Sequence, residues 1–461
     1  MPQITEQTFY KYLKCPHWLM YEMRDGQDVR EPIMRKLQDE GLLRERELEL
    51  LQDRDMEEVD LDDIDEAAQR TIQLMQQGAQ TIFKGALVHR DWVGRPDVLE
   101  RVEGKSNFGN WYYVACDIKR SSHLKDEYRF QGTFYAEILE KIQGVRPIQG
   151  YVLHTNGEIE GYLIDDILVE FHLTLDRIER IMAGEEPPIF LTADCKQSPY
   201  FSECQAKARE CDDLSLLNRL WRSEADSIRE AGIGTLSTLA LASNQQLNSV
   251  VGVPHDRMVF LQQQAKALKE NKVIKLHKIE LPEAGEVELV VDIESDPLRD
   301  LHYLIGVLKI ADGQETYHQF FAKDESETEG MWRDFVAFLQ KYPTAKVYHY
   351  GWYETDVFRR TVAKFGAPST VDEQLTVRGV DILPIFRESV IFPLPFYSLK
   401  DIAKHLGFSW RTADASGLDS VLWFHDYCQT GDSAALQKIV DYNEDDVRAT
   451  WFIMQWARKQ D

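Results

Sequence analysis

The sequence predicts a multidomain α/β protein, and three observations carry that prediction. Residues 1–212 mix helical patterns with β-rich runs such as WYYVACDI and IQGYVLH. From about residue 213 the pattern is helical throughout, in LSLLNRLWRSEADSIREAGIGTLSTLALAS and VVGVPHDRMVFLQQQAKALKE, and a lysine-rich stretch with LPEAGE closes this middle segment near residue 280. Residues 281–461 return to α/β: VELVVDIE, HYLIGVLKI and AKVYHY read as strands, and LQKIVDYNEDDVRATWFIMQWARK reads as a closing helix. The expected order is therefore mixed α/β (1–212), helical (213–280) and mixed α/β (281–461).

Composition narrows the classes. With 461 residues and 43% hydrophobic side chains the chain can fill more than one core. No run approaches the ~18 apolar residues of a membrane span, and the start MPQITEQTFYKYLK lacks an apolar signal core, so a cytoplasmic protein without membrane attachment is expected. Six cysteines are too few for a disulfide scaffold of this size, so thiols or metal ligands are expected instead. Lys and Arg number 53 against 78 Asp and Glu, which argues against non-specific coating of a polyphosphate. The acidic run Asp53–Glu66 reads as solvated helix or loop. Positive charge is local: Lys119, Arg120, Lys125 and Arg129 form one group, and Lys266, Lys269, Lys272, Lys275 and Lys278 form a stripe that reads equally as solvated linker or as a surface guiding a strand.

The chemistry is concentrated in two acid clusters far apart in the chain. In the first, Asp117 and Lys119 of WYYVACDIK are two apart on a strand and leave the same face. Asp97, in GRPDVL, joins them if its segment pairs alongside. Two carboxylates can hold a metal ion and an ammonium can stabilise charge, whereas the bland alternative is a surface ion pair. Gln131 and Tyr135, four apart in a helical pattern, share one face and could position a phosphate or a metal's water shell. Asp97, Asp117-x-Lys119 and Gln131-x-x-x-Tyr135, in this order, resemble the PD-(D/E)XK signature of RecB-family nucleases. That family supplies a His four residues after a Gly on an upstream helix; here Gly41 is followed by Glu45, a carboxylate in place of imidazole, with Glu47 as the alternative ligand.

Cys15 precedes this segment, and Cys195, Cys204 and Cys211 follow it. Some RecB-family nucleases of the AddB type are similar, and the resemblance implies that one upstream and three downstream cysteines hold a 4Fe-4S iron-sulfur cluster. The downstream spacing departs from the family's close C-x-x-C pair, so a zinc site and unligated thiols stay open. Cys116 and Cys428 read as packing residues.

In the second cluster Asp292 and Glu294 share a strand face, Glu354 follows VYHYG, and Tyr442 and Asp446 lie four apart on the closing helix. Four carboxylates from two strand ends and a helix suit a two-metal site, with Tyr442 orienting a water; ordinary helix-terminal and surface acids are the alternative. DIE, HYGWYE, DILPIFRES, SLKDIAKHLGF and YNEDD, in this order, resemble the DnaQ-like, RNase H-fold exonucleases with a DEDD site and a Y-x-x-x-D last motif. That family commonly has Asp where this chain has Glu354, and Asp356 is a substitute. His349 reads as structural or substrate-contacting rather than as the base.

In the middle segment, AGIGTLSTLA and SVVGVPHD place glycines in tight turns between helices. They look like a helix-hairpin-helix pair that holds backbone phosphates, or like a plain αα-hairpin linker. Gly104-Lys105-Ser106 ends like a phosphate-binding loop, but Leu99 stands where its first Gly is required, so no nucleotide cofactor is expected. The whole arrangement resembles a bacterial group of fusion nucleases, RecB-like at the front and DnaQ-like or YprB-like at the back. The resemblance implies magnesium or manganese at both sites and a nucleic-acid substrate, single-stranded DNA ahead of RNA, with 3'-to-5' exonuclease action at the back. The alternatives are an RNA-directed exonuclease and a catalytically silent binding or assembly module.

Overall fold

The computed structural model describes residues 3–25, 55–119, 124–154, 157–296, 301–413 and 415–460. Glu45, Glu47 and Arg120 lie outside the described residues. The chain forms two compact units, Met1–Lys207 and Ala208–Asp461, and the helical middle segment belongs to the second. Among the described residues no helix is long and apolar enough to cross a membrane.

The first unit holds β1 (Ile4–Thr5), β2 (Met56–Glu58), β3 (Thr81–Phe83), β4 (Leu87–His89), β5 (Trp92–Gly94), β6 (Val98–Ser106), β7 (Gly109–Lys119), β8 (Gln149–His154) and β9 (Ile159–Leu163). Six strands form one sheet in the order β2-β3-β6-β7-β8-β9, and β1-β5-β4 form a small second sheet. β6 and β7 pair antiparallel, with Val98 opposite Cys116, which sets Asp97 beside Asp117. β7 and β8 are parallel, so a crossover must join them; the helix Asp126–Gln143 supplies it and stops at Gly144, whose φ of 75° is the left-handed cap that glycine adopts without strain. That helix buries Phe130 and Phe134 at helical spacing against Phe9 and Phe171; the rings of Phe9 and Phe171 stack with centroids 4.8 Å apart. Gly94 matters here for a close approach: a Cβ there would lie 2.9 Å from the Tyr135 ring.

The second unit adds β10 (Ile274–Lys275), β11 (Val287–Asp296), β12 (Leu301–Ala311), β13 (Gln314–Phe321), β14 (Lys346–His349), β15 (Val380–Asp381) and β16 (Val390–Ile391). Its main sheet runs β13-β12-β11-β14-β15: the first three strands are antiparallel, and β14 and β15 run parallel to β11. Alternation along β11 explains the placement of its acids. Leu289, Val291 and Ile293 enter a core with Phe335, Leu339 and Phe358, while Val290 enters the opposite core with Val447, Ile453 and Met454 of the long closing helix Ser433–Arg458. Asp292 and Glu294, in phase with Val290, therefore face that helix. The middle segment forms helices Arg222–Glu230, Leu236–Leu241, Asn244–Asn248 and His255–Glu270, with Gly232 and Gly252 at positive φ in the turns. Four lysines of the stripe are tied locally: Lys266 to Gln262, Lys269 to Asp212, Lys272 to Glu270 and Lys275 to the Gln460 carbonyl.

Candidate metal centres

In the second unit, Asp292 and Glu294 of β11 meet Asp446 of the closing helix, each offering an oxygen within 4.8 Å of the other two. Glu354, in the first turn of the helix Tyr353–Phe365, is buried nearby and adds to the negative field on Asp292. Its Oε2 is buried without a hydrogen bond and lies 3.6 Å from His349 Nδ1. Asp356, the substitute, instead accepts from Arg360 at 3.0 Å. His349 is fully buried and its two ring nitrogens contact the Gly351 carbonyl at 2.7 Å and Thr355 Oγ1 at 3.1 Å, which makes it a structural residue of the loop that presents Glu354.

Several side chains around these acids were not singled out in the sequence. Asn443 Nδ2 donates to Asp292 Oδ2 at 2.8 Å and approaches Glu294 Oε1 at 3.5 Å, while the Tyr317 hydroxyl donates to Asn443 Oδ1 at 2.9 Å. Gly306 makes room for this amide, since a Cβ there would sit 1.6 Å from Asn443 Oδ1. Trp410 Nε1 donates to Asp446 Oδ1 at 2.6 Å. Lys400 Nζ donates to the Tyr442 hydroxyl at 2.9 Å and to the Ala415 carbonyl. Arg411 engages Asp441, Glu444 and Asp445, and Arg448 also holds Glu444, while Asp446 meets Asp292 and Glu294. Asn443 sits between the two letters of the Y-x-x-x-D motif, and nothing local distinguishes it from a surface Asn; only the strand facing it does.

Burial and crowding dominate the electrostatics. Asp292 is pushed well above the usual carboxylate range by burial and then by Asp446, Glu294 and Glu354, with Lys400 opposing. Glu294 is pushed up to about 8 by burial and Asp446, against hydrogen bonds from Ser420 and Asn443. Asp446 is pushed up to about 6 by burial, held down by Trp410, Lys400 and Tyr442. Burial lowers Lys400, the acids only partly compensating. A buried cluster of carboxylates with one amine nearby is costly without a cation, because each ionised oxygen has lost water and gained like-charged neighbours. The donor set of converging carboxylate oxygens from Asp292, Glu294 and Asp446, with Glu354 beside them, fits a hard divalent ion such as magnesium or manganese.

Residues 289–458 match the RNase H superfamily. The matched span contains Asp292, Glu294, Glu354, Tyr442 and Asp446. An RNase H-like domain goes with nuclease-type hydrolysis, a nucleic-acid substrate and divalent metal ions, and the carboxylate cluster of this RNase H-like domain accords with all three. No curated protein matches the chain.

The first unit brings Asp97, Asp117 and Lys119 together as expected from their spacing. The Asp97 backbone N–H donates to Asp117 Oδ1 at 3.3 Å, Asp97 Oδ2 accepts from the Ile118 N–H at 2.8 Å, and Lys119 Nζ lies 2.9 Å from Asp117 Oδ2. Lys84, which sequence reasoning missed, pairs with Asp97 Oδ1 at 2.7 Å because β3 and β6 are sheet neighbours. Burial raises Asp117, with Lys119 opposing and Asp97 adding. Burial lowers Lys119, but Asp117 and Asp97 outweigh it and the ammonium is held above its ordinary range. Gln131 is buried with its Oε1 unsatisfied, and burial with the fields of Asp117, Glu6 and Asp97 pushes the Tyr135 phenol well up. Glu6, at the start of the first helix, is the second omission: burial and then Asp117 push its carboxyl up to about 7, against backbone hydrogen bonds and Lys119. In sequence it is an ordinary first-turn acid.

Cys15, Cys195 and Cys204 are buried, while Cys211 is exposed and falls in the second unit. Cys15 Sγ lies 3.8 Å from Cys204 Sγ, and a ring nitrogen of His17 lies within 4.8 Å of both sulfurs. Cys195 favours ionised Cys15, but Cys204 and burial outweigh it and push that thiol up to about 11. Cys116 packs with Phe83, Val98 and Leu153, and Cys428 is half-buried.

Proposed function

We propose that this protein is a metal-dependent nuclease with two active sites, whose RNase H-like domain removes nucleotides from the 3' end of single-stranded DNA. The observation that carries the reading is the set of converging, mutually repelling carboxylates of half-buried Asp292 and buried Glu294 and Asp446, with Glu354 beside them. Asp292, Glu294, Glu354 and Asp446 would hold a magnesium or manganese ion, which would supply Lewis-acid polarisation of the phosphodiester and activation of a water. Asn443 fixes the Asp292 carboxylate, and Trp410 fixes that of Asp446, so the oxygens are preorganised. Burial, with Asp446 adding, holds the Tyr442 phenol far above its ordinary range, so it keeps its proton and orients a water rather than acting as a base. Lys400 holds that phenol in place.

In the first unit Asp97 and Asp117 would form the other site, with Glu45 as the upstream acid, and Tyr135, which feels Asp117 and Asp97, and Gln131, whose buried Oε1 is unsatisfied, would position the phosphate or the metal's water shell. Lys119, held protonated by its two acids, stabilises charge on the phosphate and does not accept a proton. The helical segment with its glycine turns at Gly232 and Gly252 would act as a helix-hairpin-helix surface that contacts the phosphates of the strand.

The test is degradation of 5'-labelled single-stranded DNA, free or blocked at its 3' end, with manganese, by the wild type and by Asp292→Ala and Asp117→Ala proteins, beside an RNA strand of the same sequence. A stepwise ladder on the free DNA strand that vanishes with Asp292→Ala supports the assignment, and residual cutting lost with Asp117→Ala supports the second site. A ladder on RNA alone replaces the DNA reading, and no metal-dependent cutting leaves a binding module.

A further inference from the structure

We propose that Cys15, His17, Cys195 and Cys204 form a single-ion site of Cys3His type that takes one zinc-like divalent cation and clasps the start of the first unit to its end. The four residues come from three places in the chain. Cys15 caps the end of the helix Glu6–Lys14, His17 stands in the first turn of the next helix, Pro16–Asp25, and one tight corner thus supplies two donors. Cys195 lies on the short helix Ala193–Gln197 and Cys204 on the helix Phe201–Glu210. Cys15, His17 and Cys195 are each 2% exposed and Cys204 is 1% exposed, so the donors sit away from water.

Distance decides what such a set can hold. Sulfurs bound to one tetrahedral ion at ~2.3 Å lie ~3.8 Å from each other, and Cys15 Sγ and Cys204 Sγ are 3.8 Å apart. The His17 nitrogen closes a triangle with both sulfurs inside 4.8 Å, and the Cys195 thiol, beside this triangle, hydrogen-bonds with that of Cys15. A four-iron cube needs its ligands spread around a body several ångströms wide and needs a fourth sulfur. Here two sulfurs are in contact and Cys211 is exposed, so this donor set does not fit the cube and fits one ion. Cys15 and burial hold the Cys195 thiol protonated in the absence of a cation, while the Thr192 backbone N–H, donating to its Sγ at 3.3 Å, and Thr192 Oγ1 at 3.4 Å are placed to support the thiolate that an ion would require. Without an ion, three thiols and an imidazole would be packed as small apolar groups, a role that does not call for a histidine among them.

The site closes a very long loop of chain, so ion binding adds directly to the stability of the first unit. It also reaches the acid cluster, because the helix that ends at Cys15 begins at Glu6, which feels Asp117 and Lys119. The inference stands whether or not either acid cluster is a nuclease site.

The experiment is metal analysis of the full chain after dialysis against EDTA to strip the carboxylate sites, followed by cobalt(II) substitution. We expect about one tightly held zinc per chain and, with cobalt, the strong visible absorption of a tetrahedral thiolate site. His17→Ala loses the ion and lowers the melting temperature, His17→Cys restores binding with an altered cobalt spectrum, and Cys211→Ser changes neither. The idea is overturned by a brown protein with several irons per chain that bleaches in Cys211→Ser. It is equally overturned by a metal-free protein whose melting is unchanged in His17→Ala.

Discussion

The two acid clusters differ in how their charge is met. In the first unit each aspartate has its own lysine: Lys84 on Asp97 at 2.7 Å and Lys119 on Asp117 at 2.9 Å. In the second, Asp292, Glu294, Glu354 and Asp446 converge with Lys400 as the cation that opposes them, and its ammonium is spent on the Tyr442 hydroxyl and a backbone carbonyl. The first cluster is therefore close to neutral as folded, and the second stores repulsion that a divalent ion relieves. Two acid clusters built from the same residue types thus leave different amounts of charge for a cation to offset, and the contrast can be tested experimentally.

The largest expected effect is that of Asp292→Asn. Losing a ligand of the second cluster lowers manganese-dependent hydrolysis about a thousandfold, on the order of 4 kcal/mol of barrier. At a pH where Asp292 is ionised, the same change raises the melting temperature of the metal-free protein, because it removes a charge that its neighbours repel. The matched change in the first unit, Asp117→Asn, strands Lys119 and lowers stability, as breaking a buried pair does. Calorimetry on the two metal-free variants checks the opposite signs; two shifts of the same sign would remove the contrast.

Next in size is the dependence on pH. Glu294 has a folded value of about 8 against an ordinary 4.5, so between these values the folded metal-free protein binds more protons than the unfolded chain. Its contribution to stability is thus full below about 4.5 and is lost as pH rises towards 8. Ion uptake must displace those protons, so manganese affinity at the second cluster rises from pH 6 to 8, by up to roughly tenfold per unit. Isothermal titration in buffers of different ionisation enthalpy would show proton release, and a flat affinity over this range would contradict the crowding argument.

Much of this was legible in the sequence, and what was not has a common cause. Asp117 with Lys119, and Asp292 with Glu294, could be placed on one face because strand periodicity is local; Gln131 with Tyr135, and Tyr442 with Asp446, followed from helical spacing. The mixed α/β character of the chain was readable for the same reason. Lys84, Glu6, Asn443, Lys400 and Trp410 were missed because each acts through a contact across sheet or helix partners, which no periodicity encodes. Lys84 reaches Asp97 only through the pairing of β3 with β6. His17 was passed over beside Cys15, since a Cys-Pro-His corner is meaningful only once Cys204 is folded against it. The lysine stripe was left open between linker and strand guide, and four of its members turn out to hold local partners.

A third prediction concerns preorganisation. Gly306→Ala would place a methyl 1.6 Å from Asn443 Oδ1 and 2.9 Å from the Tyr317 hydroxyl, so the amide must leave its position between the acids. Overpacking of this kind costs ~1–3 kcal/mol of stability. Asn443→Ala removes the same donor without the clash, so the two variants should share a loss of activity of about tenfold while only Gly306→Ala loses the overpacking energy. Urea titration beside initial rates separates them; equal stability losses would mean that Asn443 acts as packing and not as a brace for Asp292.

The smallest effect is expected where the two clusters can be made alike. Lys84 is 35% exposed, so Lys84→Met removes a partly screened charge and alters stability by less than ~1 kcal/mol. It leaves Asp97 without its lysine, and the first cluster then carries the uncompensated charge that marks the second. Manganese affinity of the first site should rise a few-fold, read in an Asp292→Ala background so that the second site is silent. The gain should shrink in high salt, because the half-exposed lysine acts through solvent-screened charge. An affinity that falls instead would mean that Lys84 holds Asp97 in its ligating position, and that the first cluster is tuned by geometry more than by charge.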